Sequence, residues 1–287
     1  MSKPIASPSR TKEILNTYGL HAKKGFGQNF LVDASAAAKI ASLAEADGAV
    51  IEIGPGIGSL TEQLAMRAKQ VMAFEIDDSL IPMLQDVLAP YENVRIVHQD
   101  ILEADIDAAA EELLAAGCSS IAVIANLPYY ITTPVLFRLF EASYAFPLIS
   151  VMVQKEVADR FAAPVNSPDY GALSVEAQYL YNVRRVFNVP RNCFMPAPNV
   201  DSAVVSFEKK QGDEPLADRN DFFAFVKGCF KQRRKTLYNN LREYTGDPAL
   251  AAELLKEAGL AEGVRAQQLD TEAFVQLYRI LKKEVSE

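Results

Sequence analysis

Cysteine and histidine are scarce in this chain of 287 residues, three and two respectively, and the scarcity removes several kinds of chemistry. Cys118, Cys193 and Cys229 lie far apart and form no CxxC pair, so neither a zinc site nor a disulfide framework is suggested. His21 and His98 have no partner at metal-ligand spacing, and no metal is expected. Long apolar runs are missing too. None approaches the ~20 residues that a membrane span requires, and the opening MSKPIASPSR has no apolar secretory core, so a cytoplasmic protein without a membrane partner is expected. No apolar surface stripe is evident, which points to a monomer. What the chain does have is ordinary globular content. It is 49% hydrophobic, 23% charged and 9% aromatic, enough for a sizeable core and too apolar for disorder.

The net charge of -8 would argue against a polyanionic partner if it were evenly spread, and it is not. Residues 1–29 carry Lys3, Arg10, Lys12, Lys23 and Lys24 against the single acid Glu13, and 226–242 carries six basic residues and no acid. Binding of a polyanion follows local field more than net charge. In VKGCFKQRRKTLYNNLR, Val226, Cys229, Phe230, Leu237 and Leu241 can form one packed face of a helix, leaving Lys231, Arg233, Arg234 and Lys235 clustered elsewhere. Such a cluster is often a mere solvated face. Together with the basic N-terminus it reads here as a set of phosphate contacts, which set affinity and orientation but carry little sequence information.

Short β-branched runs alternate with helical stretches, as in a mainly parallel sheet covered by helices. Strands are expected at 49–53, 70–75, 94–98, 121–125 and 148–153, with helices between them such as 59–67 and 79–88. That is a doubly wound α/β pattern. Two more strands, 183–189 and 202–208, flank the stiff loop 190–198 and suggest an antiparallel edge hairpin. The polar stretch 211–220 is a candidate linker, and the chain beyond it reads as helical throughout. The expected division is therefore 1–210 and 211–287, one main domain and a small helical one.

Directly after the first strand comes Glu52-Ile53-Gly54-Pro55-Gly56-Ile57-Gly58. Glycines at such a turn let backbone approach a ligand where a side chain would clash. A dinucleotide fingerprint has its third glycine one residue later, so a nucleoside-like ligand without a pyrophosphate suits the loop better; S-adenosylmethionine is such a ligand. Glu75 ends the second strand, 19 residues after Gly56, where an acid can accept from both ribose hydroxyls. Asp100, just past the third strand, is placed to accept from an adenine amine. In this topology strand-end acids converge on one crevice.

The fourth strand ends in Asn126-Leu127-Pro128-Tyr129-Tyr130. An amine attached to a nucleobase is a poor nucleophile, because its lone pair is delocalised into the ring. The Asn126 side-chain oxygen and the Leu127 carbonyl could each accept one amine hydrogen and aim the lone pair at a sulfonium methyl. Pro128 fixes the loop and Tyr129 offers a face on which a base can stack. Phe194, in Cys193-Phe194-Met195-Pro196-Ala197-Pro198, would supply an opposed ring and complete a slot for a flipped base. Nothing near Cys193 in sequence activates it, so it is read as structural.

These residues carry a family resemblance. From Gly25-Phe26-Gly27-Gln28-Asn29-Phe30-Leu31, through the glycine loop, Asn126-Leu127-Pro128-Tyr129 and Phe194-Met195-Pro196-Ala197-Pro198, to Gln232-Arg233-Arg234-Lys235-Thr236-Leu237, the chain resembles the bacterial dimethyladenosine transferases of small-subunit ribosomal RNA. The resemblance covers nearly the whole chain. It implies a Rossmann-like S-adenosylmethionine-dependent methyltransferase fold with a small C-terminal all-helical domain. It also implies dimethylation of two adjacent adenines in a loop near the 3′ end of 16S RNA on a pre-assembled small subunit, with a role in ribosome biogenesis. S-adenosylmethionine would be the cofactor, and the small ribosomal subunit with its RNA the partner. Gln28, Asn29, Leu31, Gly54, Gly56, Glu75, Ile76, Asp100, Ile101 and Asn126 would contact the cofactor. Asn126, Leu127, Pro128, Tyr129 and Phe194 would form the catalytic loop and base-stacking walls, and Lys23, Lys24, Lys231, Arg233, Arg234 and Lys235 would bind RNA. Two alternatives stay open: an amide methyltransferase acting on protein glutamine, since the Asn-x-Pro-Tyr loop suits either amine, and an assembly factor whose binding matters more than its catalysis.

Overall fold

A computed structural model describes residues 3–211, 216 and 218–286 of the chain. Its strands are β1 (Phe30–Leu31), β2 (Ala49–Ile53), β3 (Gln70–Glu75), β4 (Val94–His98), β5 (Ile121–Asn126), β6 (Leu148–Gln154), β7 (Tyr181–Val189), β8 (Phe194–Met195) and β9 (Ser202–Lys209). Seven of them form one sheet in the order β4-β3-β2-β5-β6-β9-β7, in which β4, β3, β2, β5 and β6 run parallel and β9 runs antiparallel to β6. Buried on both faces, β2 reads as the near-continuous apolar run AVIEI, whereas edge strand β4 is only half-buried.

The helices that cover the sheet follow from local signals. They are α1 (Pro8–Thr17), α2 (Ala34–Ala41), α3 (Ser59–Ala65), α4 (Ile81–Val87), α5 (Ile106–Ala115) and α6 (Thr132–Glu141). Pro8 occupies the first turn of α1, where its missing N–H costs nothing. Asp33 caps α2 by accepting from the Ala36 N–H, and Asp105 caps α5 through Ala108. Between β2 and β5 the chain order of the strands reverses direction across the sheet. Successive crossovers diverge there, which opens a crevice at the carboxyl ends of the strands.

The chain divides into two compact units, and each is made of two segments. The first is 1–158 with 184–209, and the second is 159–183 with 210–287. The segment 159–183, expected in the first domain, therefore belongs to the second. Its Tyr170 and Val175 are fully buried in the apolar cluster built by the later helices, which a linear reading of hydrophobic pattern cannot reveal. The candidate linker at 211–220 falls partly outside the described residues, at 212–215 and 217, and a helix already begins at Arg219.

The second unit contains α8 (Ala172–Leu180), which follows α7 (Lys155–Phe161), then α9 (Arg219–Cys229), α10 (Leu237–Thr245), α11 (Pro248–Glu257) and α12 (Thr271–Ser286). Its core is aromatic, with Phe222, Phe225 and Phe274 wholly buried and Phe222 edge-on to Tyr278 at 5.4 Å. The helix expected through 226–242 is interrupted: α9 ends at Cys229 and the basic residues 231–235 lie on a turn. Buried Asn240 explains the break. Its Oδ1 accepts from the Gln232 N–H at 3.0 Å and its Nδ2 donates to the Gln232 carbonyl at 3.3 Å, so a side chain takes over the backbone groups a continuing helix would have used. Thr236 then caps α10 by accepting from the Asn239 N–H.

Candidate active site

The carboxyl ends of β2, β3 and β5 and the loop after β4 surround a cavity of about 360 Å³ in the first unit. Backbone shape comes first. Gly54 and Gly56 sit at φ +68° and +59°, in the left-handed region that a side chain disfavours, and a Cβ on Gly56 would stand 3.2 Å from the Phe30 ring. The bare backbone of Gly56 can thus face a ligand, and its N–H donates to Glu75 Oε2 at 3.2 Å.

Glu75 is 5% exposed, and its Oε1 accepts from the Asp77 N–H at 2.9 Å. Burial raises its pKa, while these two backbone donors oppose the rise. With one N–H on each oxygen, the carboxylate keeps lone pairs for a diol. Asp100 accepts from the Leu102 N–H at 2.9 Å through Oδ1, which fixes the turn after β4 at the cavity wall. Ile76 and Ile101 add apolar wall.

At the end of β5, the Asn126 side-chain amide donates to the Asn29 carbonyl at 3.5 Å, so the loop 126–130 and the N-terminal segment meet there. The Leu127 N–H donates to Met152 O at 3.1 Å, anchoring the loop to β6. No hydrogen bond to the Leu127 carbonyl occurs among the described residues, and Pro128 has no N–H to offer. The Tyr129 hydroxyl is paired with Ser202 Oγ at 2.7 Å, which holds the ring at the cavity, and burial raises its pKa.

Gln28, Asn29, Leu31, Gly54, Gly56, Glu75, Ile76, Asp100, Ile101, Asn126, Leu127, Pro128 and Tyr129 all line this one cavity. Phe194 does not. It is 4% exposed, in β8 opposite Leu31 of β1, and its ring packs in a core cluster with Val189 and Val204, because β1–β8 pairing turns it inward. Cys193 donates to Asp33 Oδ2 at 3.5 Å, and burial and that carboxylate push its thiol pKa up, which leaves it unreactive.

Tyr130 and Glu52 are among the wall residues that the sequence reading did not assign to the site. Tyr130 is 54% exposed, and a Cβ on Gly27 would lie 3.2 Å from its ring. Its pKa is raised by burial first and then by the charges of Asp100 and Glu75, which line the same cavity. Its doubled tyrosine after Pro128 was the available signal. Glu52 is 1% exposed, its Oε2 has no hydrogen-bond partner, and burial pushes its pKa up to about 8. An acid inside the buried run AVIEI was the clue there.

The basic residues separate into committed and available groups. Lys23 Nζ is bound to Asp77 Oδ1 at 2.7 Å and to Ser79 Oγ at 2.8 Å, so the residue expected to contact phosphate is engaged by an internal acid. In the second unit Lys231 pairs with Glu243 at 2.7 Å and Arg233 donates to the Pro168 carbonyl at 2.7 Å. Arg234 and Lys235 are exposed and have no ion-pair partner among the described residues. The side chain of Lys24 lies outside the described residues. Among the described residues no cluster of His, Cys, Asp and Glu has the makings of a metal site, and no helix is long and apolar enough to cross a membrane.

The cavity fits S-adenosylmethionine on its own chemistry. It combines glycines whose backbone borders the cavity, two strand-end acids, Glu75 and Asp100, that could accept from a ribose diol and an exocyclic amine, and one buried acid oxygen, Glu52 Oε2, that has no protein partner. Residues 19–283 match the family described as ribosomal RNA adenine dimethylase. The chain is 46% identical over 290 residues to the Ribosomal RNA small subunit methyltransferase A of Bacillus pumilus, with 99% of each chain covered. Among solved structures it is similar to a dimethyladenosine transferase from Plasmodium falciparum (TM-score 0.74, 25% identity, 89% of this chain and 98% of that one). It is also similar to the 23S rRNA methyltransferase ErmE (TM-score 0.66, 28% identity, 88% and 100%).

Proposed function

We propose, since the chain belongs to the ribosomal RNA adenine dimethylase family, that it dimethylates two adjacent adenines in a loop near the 3′ end of 16S RNA. The protein is an S-adenosylmethionine-dependent methyltransferase acting on adenine of small-subunit ribosomal RNA. In this reading it works in the cytoplasm, as a monomer, on a pre-assembled subunit, and its binding also serves ribosome biogenesis. The convergence of Glu75, Asp100 and Asn126, from three successive strand ends, on one cavity carries the assignment of the site.

S-adenosylmethionine supplies an electrophilic methyl group on a positively charged sulfur. Glu75 would accept from its ribose hydroxyls, and Asp100 from its adenine amine. The Asn126 side-chain oxygen and the Leu127 carbonyl would each accept one hydrogen of the target amine, which pyramidalises the nitrogen and points its lone pair along the line of transfer. As the methyl passed from sulfur to nitrogen, with the S–C bond breaking to leave a neutral thioether, the amine would gain positive charge and both acceptors would hold it more strongly in the transition state. The surplus proton then leaves to water, so no general base is required. Tyr129 would stack on the target base. With Phe194 buried in the core, Tyr130 is the exposed ring available as the second wall. Arg234, Lys235 and Lys24 would contact phosphate.

Transfer of labelled methyl from S-adenosylmethionine to unmodified small subunits, with naked RNA and a glutamine-bearing release factor in parallel, tests this reading. Label in adjacent adenines of subunit RNA is expected, and label in protein would overturn it. Asn126→Ala should abolish transfer while subunit binding persists. Tight binding without any transfer by the native chain would favour the assembly-factor reading.

A further inference from the structure

Asp77 is 1% exposed and takes no part in the transfer chemistry, yet it carries more polar contacts than any acid of the cavity wall. Its Oδ1 accepts from Lys23 Nζ at 2.7 Å, from Ser79 Oγ at 2.6 Å and from the Ser79 N–H at 3.1 Å; its Oδ2 accepts from Gln28 Nε2 at 2.8 Å. Its own N–H donates to Glu75 Oε1 at 2.9 Å. Lys23 and Gln28 are also joined directly, because the Lys23 N–H donates to Gln28 Oε1 at 2.9 Å. Among the described residues, the backbone of 23–28 makes only local turn bonds to other backbone, from the Phe26 N–H at 3.1 Å and the Gln28 N–H at 3.4 Å to the Lys23 carbonyl, and belongs to no strand. Side chains must therefore hold it in place. Held this way, its Phe26, Gly27 and Gln28 form part of the cavity wall.

We propose that Lys23 and Asp77 are positioning residues for the cofactor: they latch the segment 23–28 over the cavity and, through the Asp77 amide, fix the carboxylate of Glu75. A single buried carboxylate thereby couples closure of the N-terminal segment to the group that would hold the ribose. Charge-assisted bonds from Lys23 make the latch strong, and two of its three ammonium hydrogens are engaged inside the protein. The inference rests on the placement of the cofactor in this cavity.

The test is calorimetric titration of S-adenosylhomocysteine into the full chain and its Lys23→Met, Lys23→Arg, Asp77→Asn and Glu75→Ala variants. Lys23→Met and Asp77→Asn should weaken binding roughly 10-fold, equivalent to ~1.4 kcal/mol. Lys23→Arg should recover most of it, and the Lys23→Met/Asp77→Asn double variant should be no weaker than the poorer single one. The ligand should protect the native chain from trypsin at Lys24, and that protection should vanish in Lys23→Met. Affinity for small subunits and its salt dependence should stay as in the native chain. Native ligand affinity in Lys23→Met, with weaker subunit binding and a shallower salt slope, would overturn the latch and return Lys23 to the phosphate contacts. Should Asp77→Asn fail to fold, Lys23→Met alone decides. Native affinity in Glu75→Ala would instead refute the placement of the cofactor, whichever way the latch variants behave.

Discussion

Replacing Glu52 by Gln should change the pH dependence of stability of the first unit in a calculable way. The side chain is fully enclosed within β2, and burial, reinforced by the charge of Glu75 and opposed by the Thr61 hydroxyl, moves its pKa from 4.5 to about 8. In the unfolded chain the group loses its proton near the ordinary value, whereas the folded protein retains it. The folded state thus binds more protons between those limits, and stability must fall as pH rises through them. The slope is ~1.4 kcal/mol per pH unit, which accumulates to about 5 kcal/mol over the whole interval and about 3 kcal/mol by pH ~7. Glu52→Gln keeps the shape and removes the titration. Its buried amide adds an offset that does not vary with pH, so the variant should gain on the native chain by that slope from pH ~5 to ~8. Urea unfolding followed by hydrogen exchange in β2 and β3 peptides, native and variant at each pH, isolates the first unit from the second. Parallel curves would refute the reasoning, for they would mean that the folded protein already holds Glu52 ionised.

Gly56→Ala should cost ~1–2 kcal/mol for a left-handed alanine, with further loss as the new methyl crowds the Phe30 ring; melting temperature and S-adenosylhomocysteine titration should both fall. Arg234→Ala and Lys235→Ala should each weaken subunit binding and reduce its salt slope by about one. Lys231→Ala should do so less, since its ammonium is already engaged by Glu243; filter binding across a salt series distinguishes them.

The parallel strands were legible because each is short, β-branched and bounded by turn residues; β2, β3 and β4 begin and end where the pattern places them. Glu75 and Asp100 were legible for a related reason: in a parallel sheet, position in the chain at a strand end already implies position at the crevice. Phe194 shows the limit. Whether an aromatic between cysteine and proline faces a cavity or a core depends on the β1–β8 pairing, a contact between residues 163 apart for Leu31 and Phe194, and local pattern carries no trace of it. Lys23 shows another. A basic residue in a basic segment looks solvated until its acid arrives from elsewhere in the chain, as Asp77 does. The turn at 231–235 was hidden because its cause, the side chain of Asn240, lies further along and competes with a helix that propensity alone would allow.

The division of each unit into two chain segments has a consequence for anyone wishing to handle them separately. Cutting the chain at 210 would not release an intact first unit: the excursion 159–183 would remain attached, with Ala163, Tyr170 and Val175 deprived of the helices that cover them and exposed as sticky apolar surface. A clean excision must instead remove that excursion and rejoin 158 to 184. On the ribosome the same threading means that the early part of the second unit leaves the exit tunnel long before its partners, and must wait, uncovered, for the final helices to be made.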